Sequence, residues 1–146
     1  PARFDEAELL QLNAKILHEA PYAALSGRLG ALGVSQTLWD AVKGNVVRLA
    51  DAAEWKAVIE GAIDPVIEDA GFGASAASLV PDDPLTEQSW GAFVELVKAK
   101  SGAKGKALFH PLRLALTGRE KGPEMAAIFP LIGARRARAR LMGERA

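Results

Sequence analysis

Lys104-Gly105-Lys106-Ala107-Leu108-Phe109-His110-Pro111-Leu112-Arg113-Leu114-Ala115-Leu116-Thr117-Gly118-Arg119-Glu120-Lys121-Gly122-Pro123-Glu124-Met125 is the stretch on which the reading of this chain turns. Pro111 falls where a helix can start, with Leu112, Leu114 and Leu116 behind it and Gly118 where a C-terminal cap belongs. Pro123 then opens a second helical region carrying Met125, Ile128, Phe129, Leu131 and Ile132, which Pro130 should kink or split and Gly133 should end. Exposed N–H groups at helix starts after His110 and after Gly122 give two partial positive charges close to real cations. Lys104, Lys106, Arg113, Arg119 and Lys121 can meet phosphates. His110, Pro123 and Met125 offer surfaces on which bases can stack, although Met125 also suits a core. Arg113 sits inside a mainly apolar helix. It either snorkels or is held for a planar partner such as a base edge.

The same 3.6-residue periodicity extends outward in both directions. Asp5 and Glu8 form a capping-box-like start before Leu9, Leu12, Ile16 and Leu17. Pro21 breaks that helix and opens one with Leu25, Leu29 and Leu32, ended by Gly33. Ser35 or Thr37 caps a third, with Leu38, Trp39 and Val42, and Asp51 with Glu54 repeats the capping pattern before Trp55, Val58 and Ile59. Between Gly61 and Pro84, glycines and prolines punctuate short pieces that read as a hinge or a loop with one or two short helices. Thr86 caps a helix with Trp90, Phe93, Val94 and Val97 inward, and Ala134–Met142 forms a last, strongly basic helix. No segment alternates as a strand does. The expectation is an all-α fold of two consecutive small helical bundles, residues 1–62 and 63–146.

Composition narrows the function. Of 146 residues 49% are hydrophobic, which supports a core, and the lack of cysteine removes disulfides, thiolate nucleophiles and Cys-based zinc sites. No apolar run approaches ~18 residues, so no membrane partner and a cytoplasmic setting are expected. Net charge is zero but sharply divided. Residues 98–146 hold twelve cations against three acids, a net +9, and residues 1–97 hold six cations against fifteen acids, a net −9. Such a division suits either a polyanion-binding end or a solvated basic tail. The two histidines, His18 and His110, have no acidic pair at metal-binding spacing, and Lys104-Gly105-Lys106 is not a phosphate-binding P-loop. The acidic run Glu54, Glu60, Asp64, Glu68 and Asp69 reads as helix caps and a solvated face. By itself the chain shows no catalytic machinery.

The segment from Gly105 to Glu124, with its P-L-R-x-A-L-T-G-x-x-x-G-P-E core, resembles the C-terminal anticodon-binding region of bacterial glutamyl-tRNA synthetases. Phe4-Asp5-x-x-x-Leu9-x-x-Leu12-Asn13, Asp40–Asp51 and Leu131-Ile132-Gly133 are similar as well, so the likeness runs from Phe4 to about Leu141. The resemblance implies an all-helical, two-part anticodon-binding module of a class I synthetase. The parent enzyme uses ATP and Mg²⁺ to attach glutamate to its tRNA, and the module itself would need no cofactor. Carried over by motif, Arg113 lies near the anticodon bases. Gly122, Pro123, Glu124 and Met125 cradle the anticodon, and Arg48 reads its last base, which would discriminate against glutamine tRNA. Pro130 departs from the family's Leu-rich helix. No H-I-G-H-like or K-M-S-K-S-like sequence occurs, so the expected partners are glutamate tRNA and a catalytic domain of the same synthetase, and the chain alone should be an inactive monomer. Two other readings remain at this level: a helical DNA-binding or regulatory domain, and a protein-interaction module that docks an acidic partner on Arg135–Arg140.

Overall fold

A computed structural model describes residues 16, 18 and 22–146. The Asp5–Leu12 part of the first expected helix, Leu17, Pro21 and the Phe4–Asn13 motif lie outside the described residues. Among the described residues all regular structure is helical, in eight α-helices and one 3₁₀ turn. No helix among them is long and apolar enough to cross a membrane. The chain forms two compact units, residues 1–56 and 57–146.

In the first unit, α1 (Tyr22–Ala31) and α2 (Gln36–Val42) lead into a 3₁₀ turn at Lys43–Asn45, and α3 (Leu49–Glu60) begins. α1 buries a narrower face than its leucines suggested. Leu29 is inaccessible, but Leu25 is half-buried and Leu32 exposed. Ser35 caps α2 by accepting the Leu38 N–H at 3.2 Å. Its apolar side chains Leu38, Trp39 and Val42 join Val34, Val46 and Trp55 among the unit's buried residues. α3 starts two residues before Asp51, so Asp51 is not the cap residue. Its carboxylate instead reaches back to accept the N–H groups of Val47 and Arg48 at 3.0 and 3.1 Å, the returning half of a capping box.

The second unit holds α4 (Ala70–Ala77), α5 (Glu87–Ser101), α6 (Lys106–Thr117), α7 (Met125–Ile132) and α8 (Ala134–Leu141). Thr86 caps α5, and its N–H donates to the Ser89 hydroxyl at 2.8 Å. Trp90, Phe93, Val94 and Val97 all turn inward as their spacing predicts. The main contact is α5 against α7. Trp90, Phe93 and Phe129 meet there with ring centroids 5.2–5.7 Å apart, the separation at which aromatic pairs gain beyond simple area burial. α8 packs across α4, α6 and α7. On α4, Gly73 lets the Leu141 carbonyl come so close that a β-carbon there would collide with it.

Two prolines behave differently from expectation. α6 starts at Lys106 rather than after His110, and Pro111 is its sixth residue. α7 starts at Met125 with Glu124 as its cap residue, runs through Pro130, and gives way to α8 only at Gly133. An interior proline deletes one hydrogen bond, here to the carbonyls of Ala107 and Ala126, and crowds the turn before it. The helices persist because their apolar faces are buried, with Leu108, Leu112 and Leu116 on α6 and Ile128, Phe129 and Ile132 on α7.

The basic look of α8 conceals a structural residue. Arg140 has no exposed surface. Its Nε donates to the Ala146 carbonyl at 2.8 Å, Nη1 to that of Leu116 at 2.8 Å, and Nη2 to those of Gly61 at 2.8 Å and Ile59 at 3.4 Å. Burial first, and then the neighbouring Arg136 charge, pull its pKa down to about 10, so it stays protonated at neutral pH. Its bonds to Ile59 and Gly61 tie the end of α3 to the second unit. Both of these acceptors fall within the second unit, which begins at residue 57, while sequence texture suggests a boundary at 62/63.

Candidate nucleic-acid interface

Arg113 projects from the middle of α6 toward the segment that leads into α7. Its Nη2 donates to the Pro123 carbonyl at 2.9 Å, which fixes the guanidinium plane, while Nη1 is buried and meets no protein acceptor. Burial lowers its pKa from the ordinary arginine value, and it remains charged. Snorkelling along an apolar surface does not describe this geometry, because the head group is turned inward. A cleft of about 370 Å³ opens here, lined by Trp90, Phe109, Arg113, Glu124, Met125 and Ala126.

The turn after α6 is built to hold this arrangement. Gly118 adopts φ 71°, a left-handed conformation, and its N–H closes on the Leu114 carbonyl at 2.8 Å. The Thr117 hydroxyl donates to the Arg113 carbonyl at 2.8 Å and accepts the Arg119 N–H at 3.1 Å. The chain therefore turns directly under Arg113. Arg119 and Lys121 are exposed in that turn, Gly122 is half-buried, and Pro123 is buried. Glu124 is exposed at the cleft wall, and Met125 is buried apart from the face it shows the cleft.

Of the residues expected to bind, the structure gathers Arg113, Pro123, Glu124 and Met125 at one place. Lys104 lies exposed in the loop between α5 and α6, and Lys106 is exposed at the first residue of α6. Neither start, at Lys106 or at Met125, has a side-chain cap. The expected start after His110 does not exist. His110 is an interior helical residue, a quarter exposed, with Nε2 3.8 Å from a Glu68 oxygen and 3.9 Å from a Glu120 oxygen. Arg48 belongs to the first unit and is exposed at the start of α3. Sequence reasoning missed Trp90 and Phe109 as cleft residues. Phe109 carried a signal, since it stands four positions before Arg113 and so shares its helix face.

The basic C-terminal helix is less available than its composition suggests. Arg140 is buried, and the Arg138 Nη2 donates to Asp82 at 2.6 Å and to the carbonyls of Val80 and Pro81. Arg136 reaches the Ile132 carbonyl at 3.4 Å, which leaves Arg135 exposed. Among these arginines Arg140 is withdrawn from the surface, and Arg138, although part-exposed, is already paired with Asp82. The acidic run is likewise local. Asp69 caps α4 through the Phe72 N–H at 3.1 Å, and Asp64 lies 3.5 Å from Arg145.

Residues 73–143 match the anticodon binding domain family. The whole chain is 49% identical to Glutamate--tRNA ligase 2 of Methylorubrum populi, over 100% of this chain and 33% of that protein. It is 48% identical to Glutamate--tRNA ligase 1 of Parvibaculum lavamentivorans, over 97% of this chain and 32% of that one. The glutamate-tRNA synthetase of Elizabethkingia anophelis shares the fold, with a TM-score of 0.70 over 96% of this chain and 31% of that chain at 18% identity. The chain spans about a third of the length of the curated relatives it matches. Residues 73–143, the Arg113–Met125 cleft among them, thus carry the anticodon binding domain, and the chain as a whole is similar to the C-terminal part of glutamate–tRNA ligases.

Proposed function

We propose that this chain reads the anticodon of glutamate tRNA and presents that tRNA to a catalytic domain of the same synthetase, which glutamylates it with ATP and Mg²⁺. Lys104, Lys106, Arg119 and Lys121 contact phosphates and set the register of the arm. Arg113 and the Gly122–Met125 segment contact bases, and Arg48 contacts the last anticodon base. On this reading the chain works as a cytoplasmic monomer. The observation that carries the proposal is the Arg113 side chain, which lines an open cleft and whose guanidinium is fixed there by the Pro123 carbonyl at Nη2. A planar guanidinium held in one orientation at a cleft suits the edge of a base.

Competition binding tests this. Labelled glutamate tRNA should bind the chain, unlabelled glutamate tRNA should displace it, and duplex DNA of equal length should not. Log affinity should fall linearly with log salt, by about 0.7 to 0.9 per phosphate contact. Equal competition by duplex DNA would favour a DNA-binding domain, and a flat salt response would reject phosphate contacts.

A further inference from the structure

Phe109 is nearly half exposed, at 47%. Its neighbours Leu108 and Leu112 on α6 have essentially no accessible surface. A large apolar ring thus stands exposed between Lys106 and Arg113. We propose that Phe109 is the stacking platform for a single unpaired nucleobase, whose edge is held by Arg113 and Glu124. The inference rests on the anticodon-reading function above and adds the residue that captures the base face.

Three observations converge on it. First, Phe109 and Arg113 are one helical turn apart on the same face, and both line the cleft. Ring and guanidinium therefore address the same guest, one from its face and one from its edge. Second, the cleft volume of about 370 Å³ lies near the bottom of the roughly 300–1,000 Å³ range of small-ligand sites, room for one ring system rather than a run of nucleotides. Third, Glu124 supplies a carboxylate on the cleft wall, which repels a phosphate and accepts an N–H. A donor from Arg113 beside an acceptor from Glu124 matches the edge of a base, where N–H groups and acceptor atoms alternate. It does not match a phosphate, which has acceptors alone. Trp90, edge-on to Phe129 at 5.2 Å and buried, is already engaged in the core. Phe109 is the ring with a free face.

Binding of a fluorescent anticodon stem–loop of glutamate tRNA to the 146-residue chain tests this, with Phe109→Ala, Phe109→Leu, Phe109→Trp and Arg113→Ala compared with wild type. Stacking on an aromatic side chain predicts that Phe109→Ala and Phe109→Leu each weaken binding by about five- to 150-fold, while Phe109→Trp stays within about threefold of wild type. Because Phe109 is exposed, melting temperatures should match wild type, which separates lost stacking from lost folding. Wild-type affinity in Phe109→Leu would overturn stacking in favour of plain apolar contact. Wild-type affinity in Phe109→Ala, with Arg113→Ala still impaired, would overturn the proposal alone and assign the ring to a protein contact. No binding by the wild-type chain would overturn the anticodon-reading function itself, and the proposal with it.

Discussion

Replacing Arg140 with Met should destabilise the second unit by about 3–5 kcal/mol, the cost of breaking a buried charged group's network while its partners stay in place. The magnitude follows from the bonds lost. Three of the four are short, at 2.8 Å to Ala146, Leu116 and Gly61, and the one to Ile59 is long at 3.4 Å. Leaving a buried carbonyl without a donor costs about 1–3 kcal/mol; the Ala146 oxygen keeps the Ile63 N–H at 3.0 Å, so Leu116 and Gly61 together give about 2–6 kcal/mol. Methionine needs no charge desolvation and fills part of the space, which returns some of this and sets the lower range. The offset is incomplete because the carbonyls are backbone groups that no side-chain substitution removes. Urea unfolding followed by far-UV circular dichroism measures it. For a unit of this size a loss of 3 kcal/mol lowers the melting temperature by more than about 12 °C. Arg140→Lys should fall between, since an ammonium carries three donors but cannot span the fork. Stability of Arg140→Met within about 1 kcal/mol of wild type would refute the structural role, because that is the range of an ordinary surface change.

Other substitutions separate the site from the scaffold. Arg113→Ala should weaken glutamate tRNA binding by about 1–3 kcal/mol, and a titration showing no loss would remove Arg113 from the base contacts. Arg48→Ala should narrow the preference for glutamate over glutamine tRNA without changing the melting curve, since Arg48 is exposed; an unchanged ratio would reject its role. Gly73→Ala should destabilise by about 1–3 kcal/mol or more, because its β-carbon would press on the Leu141 carbonyl and force α4 and α8 apart. A melting curve indistinguishable from wild type would show that the two helices can separate without cost.

The helices were legible because their signals are local. Ser35, Thr86, Gly118 and Gly133 all stand at helix ends, and Trp90, Phe93, Val94 and Val97 turn inward at their predicted spacing. What was not legible depends on residues far away in the chain. Arg140 looks like a surface cation until Leu116 and Gly61, 24 and 79 positions away, deliver their carbonyls. Pro111 looks like a helix start because that is where proline costs least. Burial of the α6 leucines outweighs the preference. Within the site, Arg113 and the Pro123–Met125 segment could be read from their motif, whereas the aromatic wall could not. Trp90 reaches the cleft only through the packing of α5 on α7, and the exposure of Phe109 is decided by neighbours that periodicity does not name.

The interior proline of α6 divides that helix into parts of unequal rigidity. The turn carrying Lys106 and Phe109 precedes Pro111 and lacks the ladder bond from residue 111 to the Ala107 carbonyl. Arg113 follows the proline, with Leu112, Leu114 and Leu116 buried around it and Thr117 bonded to its carbonyl. Amide protection should therefore rise along the helix, low through residues 106–110 and high from 112 onward. In recognition, the firm half fixes where a base edge must arrive. The looser half lets an aromatic ring settle onto whichever face arrives with it. Tolerance of modified or wobbling bases at that position would then come from backbone compliance rather than from a wider pocket.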